Sequence, residues 1–517
     1  MFPTPMRIEA LQSSLGGDLL VFIPELVVCA GILALLLARL IPLLTRAHLG
    51  SLAIAVVVVA LFAAAYQVAG NTWSGPYFTG MLVADAFAGL ARCLVLMAAL
   101  LTLLLTQLTG IPDRDDSADF HTLLLGGTLG MLLMVSANHL LMVFIAVEMA
   151  SLPSYALAGF LKGQRRGSEA ALKYVVYGAG AAGVMLYGLT LLAGTFGTGY
   201  LPNVAEGIAR RGLDLPILAG TTLVLIGLGF KLAVVPIHFW CPDVFEGAAA
   251  EVAGFLSVAS KAAAVVLTAR LLMTLNTSLL AVEAGNWSLP RSLGLLVGLI
   301  AALTVTFGNL AAFAQTNLKR LLAYSTIAHA GYMLLGLAVL TPVGLAGVLY
   351  YLAAYILMNL GAFAVVALVR NATGSENLEA FRGLVRRAPV LAVTLTIFLL
   401  SLLGLPPLAG FAGKFQVFAA LYEAGQAAIA AGQANLGSTF YVLLGIAAVN
   451  TAISAYYYLK VVRMMLLEEP PTTAPLPQSP AATLYLVTLA AALFAVGIVW
   501  NPLVSLTTRA VKTFQVW

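Results

Sequence analysis

Fourteen long stretches that are almost wholly apolar constrain this chain more than any other feature. They fall near 19–41, 49–70, 82–108, 119–136, 139–161, 170–197, 216–240, 250–275, 291–313, 321–340, 343–369, 389–425, 438–467 and 482–506. An α-helix rises about 1.5 Å per residue, so stretches of this length cross a hydrocarbon layer about 30 Å thick. They do not alternate polar with apolar residues, which argues against a membrane β-barrel. Composition agrees: 61% of residues are hydrophobic and 9% charged, where a soluble domain carries about a quarter charged. A soluble enzyme, a disordered chain and a fibre are excluded. The expected fold is an all-α integral membrane protein of about 14 transmembrane helices, a single membrane domain over 1–517. The N-terminus shows neither a basic region nor a small-residue cleavage site before its first apolar run, so that run reads as a retained helix.

Charge and cysteine narrow the chemistry. The net charge of +5 needs no nucleic-acid partner, because basic loops belong on the cytoplasmic side of a membrane. Cys29, Cys93 and Cys241 are far apart. They give no spacing for an iron–sulfur cluster, a zinc finger or a c-type haem, so no metal site is expected. The basic residues also orient the chain. Fourteen of the 26 fall in odd-numbered loops, including Arg39, Arg46, Arg114, Lys162, Lys319, Arg370 and Arg386, against six in even loops and termini. The odd loops are therefore expected in the cytoplasm and both termini outside.

The six remaining basic residues are Arg92, Lys173, Lys231, Lys261, Arg270 and Lys414, all inside apolar spans. Glu25, Asp85, Glu148 and Glu251 are acids in or near spans. A charge at the bilayer centre costs at least about 2.5–3.5 kcal/mol, so such residues face a protein or water interior. Glu148 lies near mid-depth in HLLMVFIAVEMASLPSYAL, and Lys173 of the next span is its expected partner, with snorkelling of Lys173 to the interface as the bland reading. Lys261 is eleven residues into its span. Arg270 is placed near a membrane face, as an anchor or a functional charge.

Two stretches combine a lysine with a helix break. In GLGFKLAVVPIHFWCPDVFEG, Pro236 follows Lys231 by five residues and leaves the Leu232 carbonyl without its helical donor. In SLLGLPPLAGFAGKFQVF, Pro406 and Pro407 precede Lys414, with Gly404, Gly410 and Gly413 permitting irregular backbone. Broken helices beside charged residues near mid-membrane are the arrangement of an ion site in a transporter, and a matching pair of them suggests inverted repeats. Counting five spans in 119–275 and five in 291–467, Lys231 and Lys414 both sit on the fourth. An odd number of spans per repeat requires the second copy to be inverted. Residues 1–118 then form three leading helices and 482–506 the last one. His329 lies inside its span in NLKRLLAYSTIAHAGYMLLG, near Tyr324 and Tyr332. It and His238 are candidate proton relays; for a histidine near a span end, simple hydrogen bonding is the plain alternative. The run from Gly178 to Gly183 fits G-x-G-x-x-G but lies inside an apolar helix. It reads as small-residue packing, not a dinucleotide loop.

The residues thus describe an ion translocator with a polar interior from Glu148 to Lys414, and leave the ion and its energy source open. HFWCPDVFEG, FLSVASKAA, NLKRLLAYSTIAHAGYMLLG and GLPPLAGFAGKF together resemble the subunit N family of the proton-pumping NADH–quinone oxidoreductase, respiratory complex I. Its wider kin are the other antiporter-like subunits of that complex and of multisubunit sodium/proton antiporters. The resemblance covers nearly the whole chain. It implies two inverted five-helix repeats and a hydrophilic axis in the membrane plane. It implies that Glu148 and a lysine partner form a coupling pair, that Lys231 and Lys261 are the central relay, and that Lys414 is the exit-side lysine. It further implies no cofactor on this chain, with NADH, FMN, iron–sulfur clusters and quinone on partner subunits, and neighbours that are other membrane subunits of the complex, with lipids around them. The chain departs from the family after VFEGA. There a Pro-Thr-Pro is usual, and here Ala249, Ala250 and Glu251 stand. The family assigns no role to Glu251; favourable placement at a helix N-terminus is one reading. The competing reading for the whole chain is a cation/proton antiporter subunit without redox partners. A static scaffold, whose buried charges only fix packing, is the third.

Overall fold

The computed structural model describes residues 14–40, 46–70, 74–111, 117–161, 163, 165–212, 214–282, 288–470, 472, 474–512 and 514. Arg114 and Lys162, counted among the odd-loop bases, lie outside them. The helices run in chain order as α1 (Ser14–Val21), α2 (Ile23–Ala38), α3 (Arg46–Gly70), α4 (Ala86–Thr109), α5 (Ser117–Ser136), α6 (Leu140–Ala158), α7 (Arg165–Phe196), α8 (Leu201–Arg211), α9 (Leu215–Leu232), α10 (Trp240–Gly247) and α11 (Ala250–Phe255). A π-helical turn (Leu256–Ser260) joins α11 to α12 (Lys261–Val282). Then come α13 (Ser288–Ala312), α14 (Leu318–Ala338), α15 (Pro342–Thr373), α16 (Leu384–Arg387), α17 (Pro389–Leu403), α18 (Ala409–Ala430), α19 (Ala434–Leu467), α20 (Pro480–Ile498) and α21 (Asn501–Lys512).

Among the described residues, twelve helices are long and apolar enough to cross a membrane, and α1 with α2, bent by 73° at their junction, adds a thirteenth when the pair counts as one span. The remaining expected span, 389–425, is two pieces. α17 is a short apolar helix, and α18 follows after a break at the two prolines. The expectation of helix from residue 82 is corrected. Leu82–Ala84 is a strand paired antiparallel with Gly75–Tyr77. α4 starts only at Ala86, because the Asp85 carboxylate accepts the Ala88 N–H at 2.6 Å and caps the helix.

Loop contacts divide the molecule into two faces. On one face, Asn138 N–H donates to Met81, Leu201 N–H to Asn138, and Asn276 to Leu340. On the other, Leu318 N–H donates to Glu376, Gly383 to Met464, Leu476 to Arg387, and the Asn371 side chain to Thr109. The first set joins even-numbered loops and the second odd-numbered ones. Asp18 accepts from Phe78 N–H, and Phe514 packs on Phe87, so both described ends lie on the even face.

With no hydrophobic force between helices in lipid, close packing of small residues holds such a bundle together. A Cβ on Gly130 of α5 would collide with the backbone nitrogen of Ala150 in α6; one on Gly308 of α13 would lie 2.7 Å from that of Ala328 in α14. In each pair the partners are 20 residues apart, so α5–α6 and α13–α14 cross at the same register. One residue beyond these crossings stand Ser151 and His329. α12, α14 and α15 are buried along most of their described lengths, whereas α7 and α20 expose much of theirs.

Candidate functional site

α9 stops at Leu232, four residues before Pro236. Ala233 takes a left-handed conformation and Val234 N–H closes back on Gly229 at 3.0 Å. Carbonyls of the last turn of α9 take side-chain donors. Trp240 Nε1–H donates to Phe230 at 3.0 Å and Lys261 Nζ to Leu232 at 2.7 Å. Val235 N–H donates to Thr304 Oγ1 at 3.1 Å and pins the connecting loop to α13. The second break is built alike. α17 ends at Leu403, Gly404 is left-handed, Leu405 N–H returns to Leu400 at 3.1 Å, and Lys414 Nζ donates to Leu403 at 2.9 Å. A Cβ on Gly404 would lie 2.9 Å from the Lys414 Cδ, so glycine serves both the backbone and the seat of the lysine. Both breaks thus place a buried ammonium on the last carbonyl of a helix, where the macrodipole is negative.

Lys231, 2% exposed, donates to Ser151 Oγ at 2.9 Å. Glu148, Ser151, Tyr155 and Lys231 line one small cavity of about 10 Å³ between α6, α7 and α9. That admits about one water molecule. The expected partnership of Glu148 with Lys173 is corrected. Lys173 is 38% exposed and bonds to Glu169 and to Asp243, each at 2.8 Å. One turn separates Glu169 from Lys173 on α7, and α10 delivers Asp243 to the same spot, so Lys173 is held at the rim. Lys231 is the lysine that faces Glu148 across the cavity. At the rim, Arg320 also bonds to Asp243 at 2.7 Å and to Glu246 at 2.9 Å.

Further along, His329 bonds through Nδ1 to the Tyr351 hydroxyl at 2.6 Å and through Nε2 to Tyr458 at 3.2 Å, and Tyr458 bonds to Ser325 at 2.6 Å. Lys414 Nζ sits 4.5 Å from the ring centroid of Tyr332, whose hydroxyl meets Thr451 at 3.1 Å. The tyrosine hydroxyls connect the His329 region to α19, and the cation–π contact helps hold the ammonium. His238 stands apart from this network. Its ring packs edge-on against Phe307 with centroids 4.5 Å apart.

Two embedded arginines serve another purpose. Arg270, expected near a membrane face, is 2% exposed and grips Asp85 with both terminal nitrogens, at 2.9 and 3.0 Å, between the rings of Phe87 and Phe514. Arg92 Nε lies 2.8 Å from Glu25, with both residues buried. These pairs tie α2, α4 and α12 together.

Sequence reasoning passed over Ser151, Asp243, Tyr351, Tyr458 and Asn359. The i, i+4 spacing of Tyr351 and Tyr355 in YLAAY was a usable signal, since it places two hydroxyls on one face of α15. Ser151 and Asp243 gave none, because their roles depend on helices distant in sequence. Among the described residues, no group of three His, Cys, Asp or Glu side chains is arranged to hold a metal ion.

A helical membrane bundle whose buried lysines cap two broken helices defines a class, that of antiporter-like ion-translocating subunits. The model of the family described as NADH:quinone oxidoreductase/Mrp antiporter, transmembrane, matches residues 137–440. The chain belongs to this family. It is 38% identical to NADH-quinone oxidoreductase subunit N of Anaeromyxobacter sp. strain Fw109-5, over 99% of both chains. It is 40% identical to NAD(P)H-quinone oxidoreductase subunit 2 of Synechococcus sp. strain JA-3-3Ab, over 85% of this chain and 82% of that one. Among solved structures it matches a chain of respiratory complex I from Thermus thermophilus with a TM-score of 0.73 and 33% identity, over 93% of this chain and 98% of that one. A chain of the Mrp complex from Dietzia sp. DQ12-45-1b shares the fold, with a TM-score of 0.79 at 21% identity over 97% of each.

Proposed function

We propose that this chain is a proton-translocating membrane subunit of a redox-driven NADH–quinone oxidoreductase. The observation that carries the reading is the recurrence of one device: a fully buried lysine on the last carbonyl of a broken helix, Lys261 on Leu232 and Lys414 on Leu403. Glu148 and Lys231 form the input pair across their shared cavity. Lys261 is the central relay, His329 with Tyr351 and Tyr458 carries protons onward, and Lys414 is the exit-side lysine. Lys173 tunes the rim through Asp243, and His238 contributes packing at the first break. Moving a charge against 100 mV costs about 2.3 kcal/mol. Hydrogen bonds to charged groups are worth about 1.5–3 kcal/mol, so making or breaking one is on the scale needed for coupling.

The breaks and the shared 20-residue register support two inverted five-helix repeats and a fourteenth span made of α17 and α18. The basic odd-loop face is then cytoplasmic and both termini lie outside. NADH, FMN, iron–sulfur clusters and quinone belong to partner subunits, and neighbouring antiporter-like subunits pack against the exposed faces of the bundle. The test is purification of the intact complex from native membranes in mild detergent. Co-purifying flavin, iron–sulfur signals and quinone reduction are expected. An intact complex of membrane subunits without redox centres would instead place the chain in a cation/proton antiporter.

A further inference from the structure

Glu251 is an embedded carboxylate used neither by the proposed relay nor by the buried Glu25–Arg92 and Asp85–Arg270 pairs. It is 0% exposed, in the first turn of α11. Its Oε1 accepts from Arg370 at 3.3 Å, and its Oε2 accepts no hydrogen bond among the described residues. The arginine does not neutralise it privately, since the same Arg370 nitrogen also donates to Asn371 Oδ1 at 2.8 Å, where the side chains reach the odd-loop face. Lys319, 3% exposed, stands beside it and is engaged elsewhere, by the Ala248 carbonyl at 2.6 Å and Glu376 at 2.8 Å.

A second orphan lies deeper on the same seam. Asn359 of α15 is 0% exposed; its amide donates to Ser257 Oγ at 2.6 Å, and its Oδ1 is unpartnered. Asn359 precedes Arg370 by eleven residues, three helical turns, so both share one face of α15. Opposite them run Glu251 and Ser257, which Arg370 and Asn359 reach, and Lys261 closes the π-turn that holds Ser257. Buried acceptors are rarely left unmet, and ordered water usually meets them. The π-turn fits, because such turns loosen the helical ladder and cluster at functional sites.

We infer that Glu251 is the mouth of a proton inlet, in which water threads the seam between α11 with its π-turn and α15 from the odd-loop face past Asn359 and Ser257 to Lys261. Glu251 takes a proton at the face and releases it inward, and Arg370 holds the carboxylate in place. The inference rests on the proton-translocating reading and adds a specific entry route to it.

The test compares Glu251→Gln, Glu251→Asp, Arg370→Gln and the double variant Glu251→Gln/Arg370→Gln. Each is studied in the whole complex in proteoliposomes, with assembly checked on native gels and proton uptake followed by dye quenching. Glu251→Gln is expected to lower the pumping rate at least threefold in an assembled complex. Glu251→Asp should keep more than half of it, and the double variant should stay as low as Glu251→Gln. Wild-type pumping by Glu251→Gln overturns the inlet. So does recovery in the double variant, which would make Glu251 only a counter-charge to Arg370. Lys231→Ala is run in parallel. If it is defective while Glu251→Gln is normal, the inlet alone falls; if both pump normally, the translocation reading falls with it.

Discussion

Lys261 holds the carbonyl of Leu232 at 2.7 Å, joining a side chain of α12 to the last residue of α9 across 29 positions of sequence. The helix break therefore makes the lysine's binding site, since Pro236, four residues on, has no N–H to offer that carbonyl. Lys261→Met keeps the length of the side chain and removes the donor. It should destabilise the subunit by about 1–3 kcal/mol, the cost of an unsatisfied buried acceptor, and abolish pumping. Thermal unfolding of the purified complex, together with dye quenching, checks both effects.

Lys231→Ala and Lys414→Ala should lower proton pumping strongly while leaving assembly close to normal. Each removes a buried charge whose partners can accept water in its place. Native gels measure assembly and proteoliposomes measure pumping. Normal pumping per electron in both variants would contradict their role.

Lys173→Ala should be milder than either. Lys173 is 38% exposed and shares Asp243 with Arg320, which stays in place when the lysine is removed. Exposed ion pairs contribute about 0–1 kcal/mol. A loss of pumping under about twofold is expected, and a loss as deep as that of Lys231→Ala would mean that Lys173 belongs to the pathway itself.

The Asp85–Arg270 pair should behave as structure. Asp85→Ala strands a buried guanidinium and should cost about 3–5 kcal/mol, seen as poor assembly. Asp85→Leu with Arg270→Met removes both charges and should recover much of that loss, because paired apolar replacements of buried ion pairs are often neutral or stabilising. Assembly yields of the single and double variants decide the matter.

The sequence alone determined the solvent, the length scale and the breaks. Apolar runs of this length have one stable form in lipid, because every backbone group must be satisfied within its own helix. Prolines announce where that rule fails, and Pro236 and Pro406–Pro407 do so on the page of residues. The embedded charges Glu148, Lys231, Lys261 and Lys414 were legible for the same reason, since each is costly wherever it sits in an apolar run. Pairing was another matter. Glu148 facing Lys231 instead of Lys173, Arg270 closing on Asp85, and Arg370 reaching Glu251 all join residues more than 80 positions apart. Only the packing of helices side by side decides which charges meet, because a side chain's neighbours across a bundle are set by helix rotation and crossing register. A hydropathy pattern carries neither.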